Sequence, residues 1–286
     1  RVLGPLLIAA GDDDREVSGL AVQALIEIGD AIHLLVRQVM QGNNKPAWRG
    51  AFKFLRTQQS YLYWAEIPAK VYEDTINHYG QPVVWVPAGA FLMGSRNKSY
   101  NPRVYDDELP QHSVTLLGYW IGRYPVTVAQ WNVFIRENGY DADERSLQDP
   151  EDHPVRYVNW NDATAYCKWL SKKSGLPVTL PSEAEWEKAA RGTDGRIYPW
   201  GNEFDKNKCN TAESGIGNTI PVGKYSPTGD SPYGCADMAG NVWEWTHSKF
   251  KPYPYNAEDG RENLASADRR AGRGGSWDIS PGLARA

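Results

Sequence analysis

The nine residues Asp237-Met238-Ala239-Gly240-Asn241-Val242-Trp243-Glu244-Trp245 leave the backbone few options. Gly240 and Asn241 are turn-formers. Two tryptophans separated by one acidic residue suit a strand, with Trp243 and Trp245 on one face and Glu244 on the other. A turn carbonyl or carboxylate beside Glu244 gathers hard oxygens that can serve a calcium-like cation. The alternative is a core strand after a tight turn. A second stretch of the same character lies at Arg273-Gly274-Gly275-Ser276-Trp277.

Ten of the 12 tryptophans fall after residue 82, where glycine and proline are also dense. Short aromatic strands between many turns mean a loop-rich fold held by large side chains. A chain of 286 residues can bury a substantial core in one large domain or two smaller ones. Its net charge of -4 argues against an electrostatic grip on nucleic acid or an anionic membrane. No apolar run approaches a membrane span, and no secretory signal is visible. Cys167, Cys209 and Cys235 form no CxxC pair, so neither a disulfide framework nor a zinc knuckle is indicated. A cytoplasmic location is therefore expected. The chain opens on Arg1 and stops at Ala286 within what reads as an element, so further domains of a longer chain are expected.

Residues 1–58 are helical by period. Leu3, Leu6, Leu7 and Ala10 form one apolar stripe, and Val17, Leu20, Ala24 and Ile28 form a second after the Asp12-Asp13-Asp14 break. Two further stripes run through Leu35 and Val39 and through Trp48 and Leu55. Helix pairs about thirty residues apart are similar to HEAT-type repeats, which bury their apolar faces only against neighbours. The alternative is an unrelated helical hairpin. Residues 59–82 read as a connector.

Residues 83–286 carry the mixed pattern. Val83–Val86 and Ala90–Met93 predict a hairpin about Gly89, and residues 112–121 predict another strand. Thr127 with Gln130 forms a capping box for a helix ending at Gly139. Asn161 or Asp162 caps a second helix that Gly175 closes, and Ser182 with Glu185 opens a third, to about Arg191. Beyond Gly192 periodicity fades. The class is α+β.

Several motifs then occur in order: Trp85-Val86-Pro87-Ala88-Gly89, Met93-Gly94-Ser95, Tyr124-Pro125-Val126-Thr127, Pro154-Val155 with Val158-Asn159-Trp160, Leu180-Pro181-Ser182-Glu183-Ala184-Glu185-Trp186-Glu187, Tyr198-Pro199-Trp200-Gly201, and the two stretches described first. This series resembles the formylglycine-generating enzyme (sulfatase-modifying factor) family, over roughly residues 83–286. The resemblance implies a C-type lectin-like fold and, by itself, no activity.

Catalytic members of that family oxidise a substrate cysteine with copper held by two thiolates. The matching positions here hold Ile279 and Ala284, which cannot supply the soft sulfur that Cu(I) needs. Cys209 and Cys235 lie elsewhere in the pattern, and Ser276 is retained without thiol partners. A related iron-dependent branch uses a histidine cluster on a helical domain. His33, His78, His112, His153 and His247 are isolated here. Neither copper nor iron is expected.

Calcium is expected instead, as a structural ion. The resemblance places it on Asp237, the Gly240 and Val242 carbonyls and Glu244. A second family site would fall on Asn210, the Thr211 carbonyl, Ser214 and the Ile216 carbonyl. There Ser214 replaces a usual aspartate, and Glu213 could compensate.

The same scaffold serves as the variable protein of diversity-generating retroelements, whose randomised residues follow the RGGSW motif. Carried over, the ligand-binding residues are Trp277, Asp278, Ile279, Ser280, Gly282, Leu283 and Ala284, with the run 278–285 exposed to solvent. The alternative is an ordinary loop. Three functions follow: a non-catalytic module that recognises a protein ligand or partner, a metal-dependent oxidoreductase with relocated ligands, or a structural adaptor.

Overall fold

A computed structural model describes Gly80, residues 82–96 and residues 105–286. The HEAT-like segment and nearly all of the connector lie outside the described residues. The fold below is that of the compact unit formed by Gly80–Trp169 and Thr179–Ala286.

Its order is β1 (Val83–Val86), β2 (Gly89–Met93), β3 (His112–Leu116), β4 (Tyr119–Gly122), α1 (Val128–Asn138), α2 (Trp160–Ser174), α3 (Glu183–Arg191), β5 (Glu244–Lys249) and β6 (Arg270–Arg273). The strands form three antiparallel pairs. Contrary to the expected hairpin, β1 pairs with β4 and β2 with β3. Val83 faces Gly122 and Met93 faces His112 in one unbroken register. These four strands are thus a single ribbon, interrupted where Pro87 and Ala88 oppose Leu117 and Gly118. Proline offers no N–H to a ladder, which explains the break on that side.

Local chemistry sets the helix ends. Thr127 accepts from the Gln130 N–H while the Gln130 side chain accepts from the Thr127 N–H, and Gly139 closes α1 in the left-handed conformation. Ser182 and Glu185 do the same at the start of α3. In α2 the cap lies earlier than the sequence implied. Asn159 Oδ1 accepts from the N–H groups of Asn161 and Asp162, and Asp162 reaches back to the Asn159 N–H. Gly175 donates its N–H to the Ser171 carbonyl, as the closing residue should.

Helix α3 is the hub, in contact with β2, β3, β5 and β6. Trp186, Ala189 and Ala190 pack with Val86, Cys235 and Met238. Ala184 packs on the other side with Phe91, Met93 and Val114. A separate aromatic cluster joins α1 to α2. Trp131 and Phe134 lie 4.9 Å apart between ring centroids, Phe134 and Tyr166 5.6 Å, and Tyr166 and Trp169 5.4 Å. Such edge and tilted pairs add about 0.5–1.5 kcal/mol each beyond area burial. Buried Trp131 satisfies its indole N–H on Ser146 Oγ at 3.0 Å.

The polar face of α3 is buried as well. Glu187 is 1% exposed and takes Gly94 N–H at 2.7 Å, Arg191 at 2.7 Å and Arg273 at 2.5 Å. Burial opposes the Glu187 charge, but Arg273 and Arg191 outweigh it and hold its carboxyl below the usual range. Arg273 also stacks on Trp186 at 5.4 Å. The motif on α3 and the RGGSW arginine are therefore two halves of one buried ion network.

Candidate functional site

The turn before β5 is pinned from three sides by Asn241. Its amide bridges both main-chain groups of Ile220, its N–H donates to the Asn210 carbonyl, and its carbonyl accepts from Trp277 N–H. Gly240 passes so close to Asn210 that a Cβ would stand 2.1 Å from that carbonyl oxygen. With φ at +81°, the position suits only glycine. This turn places Trp243, the first residue outside β5, and Trp277 on the same surface.

That surface is an open cleft of about 370 Å³, formed by residues 155–158, 241–243 with Trp245, and 276–279. Trp243 is 47% exposed and Tyr157 46%. Trp243 and Trp245 share the cleft, although β5 begins only at Glu244. Trp245 donates its indole N–H to the Val158 carbonyl, which ties the two walls together. Arg156 is held by both Asp149 oxygens, at 2.6 and 2.7 Å. Tyr157 is held in a positive-φ conformation, at 59°, unusual for an aromatic residue.

Of the run after Trp277, Asp278, Ser280 and Leu283 are exposed and Ile279 is half-buried. The expectation of a wholly exposed run fails at Pro281, Gly282 and Ala284, which are buried. Gly282 and Ala284 therefore present no side chain to a ligand from this face. Their small size suits packing. A Cβ on Gly275 would meet Ile279 Cδ1 at 2.6 Å and Ala284 Cα at 3.0 Å. The two positions that the family resemblance assigns to copper thiolates thus lie against one glycine, and here they are aliphatic. The chain's three cysteines are buried, and burial pushes each thiol up to about 12.

Glu244 leaves the cleft and enters the interior. Its Oε2 accepts from Trp186 Nε1 at 3.1 Å, while its enclosed Oε1 has no hydrogen-bond partner. Burial pushes its carboxyl up to about 7 against the Trp186 bond, and repulsion from Asp237 adds to the rise. Burial likewise pushes Asp237 up to about 6, although Gly223 N–H donates to its Oδ2 at 2.7 Å. The unpartnered Glu244 oxygen and the nearby Asp237 carboxylate are hard oxygens of the type a calcium ion takes.

At Asn210 and Thr211 the fit is poorer. Asn210 Oδ1 already accepts from Ser214 Oγ at 2.8 Å, and Thr211 Oγ1 donates to Glu213 at 3.0 Å. Serine in place of aspartate has turned an acceptor cluster into an internally bonded one. No group of three or more His, Cys, Asp or Glu able to hold a metal occurs among the described residues. The described histidines are engaged in other bonds: His112 with Tyr255 N–H and the Pro110 carbonyl, His153 with Thr219, His247 with Leu180 and Glu262. His33 and His78 lie outside the described residues.

Trp277, Asp278 and Ile279, singled out from the sequence, line the cleft, whose opposite wall was not foreseen. The Pro154-to-Trp160 stretch served as a family marker, and nothing local announced that it would face Trp243.

Short antiparallel ladders around one helix, with an open cleft built largely from loops, accord with a C-type lectin-like domain. The model of the sulfatase-modifying factor enzyme 1-like domain matches residues 69–286, and the chain belongs to that family. It is 33% identical over 245 residues to the hercynine oxygenase of Mycolicibacterium smegmatis, across 71% of this chain and 55% of that protein. It is 32% identical over 265 residues to the inactive C-alpha-formylglycine-generating enzyme 2 of Bos taurus, across 72% of this chain and 80% of that one. Among solved structures, PvdO from Pseudomonas aeruginosa matches with a TM-score of 0.58 at 29% identity, covering 72% of this chain and 85% of that one. Treponema denticola variable protein 1 matches at 0.56 and 25%, covering 72% and 87%. The chain spans about half the length of the hercynine oxygenase. No helix among the described residues is long and apolar enough to cross a membrane.

Proposed function

We propose that this domain is a non-catalytic recognition module whose cleft beside Trp277 binds a protein ligand. The observation that carries the reading is the pairing of Ile279 and Ala284 against Gly275, directly beside an open aromatic cleft. Aliphatic carbon there cannot hold Cu(I), whereas a rigid scaffold presenting exposed indoles is suited to gripping a partner. The likeness to an inactive formylglycine-generating enzyme and to a variable protein supports it. In this reading residues 277–280 and Leu283 form the variable surface, as in a diversified sensor of a retroelement or bacterial defence system. Calcium at Asp237, Gly240, Val242 and Glu244 would stiffen the turn beneath it. Nucleic acid is no partner in this reading, and the three unpaired thiols support a cytoplasmic site.

The test is substitution with two readouts. Trp243→Ala and Trp277→Ala abolish ligand retention while oxygen uptake with copper or iron and a thiol peptide stays at background. Metal-dependent turnover by the wild type would overturn the reading in favour of the oxidoreductase, for which the hercynine oxygenase match speaks. Ligand binding indifferent to both tryptophans would favour the adaptor.

A further inference from the structure

The cleft has an electrostatic character that its aromatic walls alone do not disclose. Two charged side chains line it, Arg156 and Asp278. Arg156 is already compensated, gripped by both Asp149 oxygens at 2.6 and 2.7 Å. Asp278 is exposed, accepts one hydrogen bond from Ser276 Oγ at 2.6 Å, and has no ion-pair partner among the described residues. The charge left for a ligand to meet is therefore negative.

The walls agree in sign. Trp243, Trp245 and Trp277 line the cleft with indoles, whose ring faces carry the negative lobe of the aromatic quadrupole. Tyr157 shows the preference directly, with the Arg145 guanidinium 4.5 Å and the Arg156 guanidinium 5.4 Å from its ring centre. An anionic ligand would face Asp278 and the ring faces together. An apolar one would cover the Asp278 carboxylate without supplying a donor.

We propose that the ligand enters this cleft through an arginine or lysine side chain of a protein partner, its stem on the tryptophans and its charge at Asp278. The proposal rests on the recognition reading above and adds the chemistry of the contact. Asp278 fixes the sign of the ligand, and the indoles accommodate its aliphatic or planar body.

A random peptide library displayed on phage and panned on the whole protein tests it. Retained peptides are compared on wild type, Asp278→Asn, Asp278→Glu and Trp243→Ala, with the fold of each variant checked by its thermal transition. The expected consensus contains a basic residue. Exchanging that residue for citrulline or norleucine, or Asp278 for Asn, weakens binding at least ~3-fold; Asp278→Glu retains most of it. Trp243→Ala costs ~10-fold. A consensus that depends on Trp243 yet lacks Arg and Lys, or tolerates citrulline equally, overturns the cation assignment and leaves the recognition reading standing. No peptide sensitive to Trp243→Ala overturns both.

Discussion

Two tryptophan-bearing regions of this domain are built on opposite terms. Around α3, Trp186 is fully buried, its N–H is spent on Glu244, and Arg273 covers its face. Around the cleft, Trp243 is 47% exposed. The interior region joins the strand pairs to α3 and leaves its charges few alternatives. The rim is carried by loops that Asn241 pins at their main chains, so its side chains can change without disturbing the pins. A scaffold of this kind separates a buried ion network from an exposed rim, and that separation can be broken from either side.

The largest effect is expected from Glu187→Gln. It leaves Arg191 and Arg273 buried beside a neutral amide, a loss of about 3–5 kcal/mol that a denaturant midpoint would register. Loss under 1 kcal/mol would show that the network is not what holds α3 to β6. Next, Gly240→Ala forces a Cβ into the Asn210 carbonyl at positive φ and should cost about 2–3 kcal/mol by the same measurement.

The secondary structure was legible because its signals are local. The capping boxes at Thr127 and Ser182 and the stop at Gly139 need only residues three or four positions apart. Strand pairing needs residues from distant segments, which is why Val83–Met93 read as a hairpin when it is half of a ribbon with residues 112–122. On the Trp277 side the motif marked residues that line the cleft. Tyr157 entered only through tertiary contact, and Ala284 turned inward with its Cα against Gly275.

A smaller effect concerns the edge of the scaffold. His247 Nε2 lies 2.6 Å from Glu262, and its Nδ1 2.9 Å from the Leu180 carbonyl. Burial disfavours the imidazolium, but the Glu262 bond outweighs it and raises His247 above its ordinary 6.5. Burial also opposes the Glu262 charge, yet His247, Ser248 and Tyr255 lower it below 4.5. The histidine contribution is therefore full below pH 6.5 and fades as pH rises through the raised value. The carboxylate contribution is full above pH 4.5 and fades as pH falls through the lowered one. Glu262→Gln should cost about 1–2 kcal/mol near pH 6 and flatten the decline of stability above it, read from thermal transitions across pH 4–9. An unchanged profile would remove the pair from the account.

The smallest effect belongs to the rim. Asp278→Asn should leave stability within about 0.5 kcal/mol while altering ligand retention. A destabilisation as large as that of Glu187→Gln would erase the distinction between scaffold and rim.

The most direct measurement is oxygen consumption and aldehyde formation when the wild-type chain is incubated with copper(I), oxygen and a cysteine-containing peptide. With aliphatic Ile279 and Ala284 at the positions the resemblance assigns to thiolates, the account predicts neither above the protein-free rate. Sustained conversion of the peptide thiol to an aldehyde, abolished by chelating the copper, would contradict it.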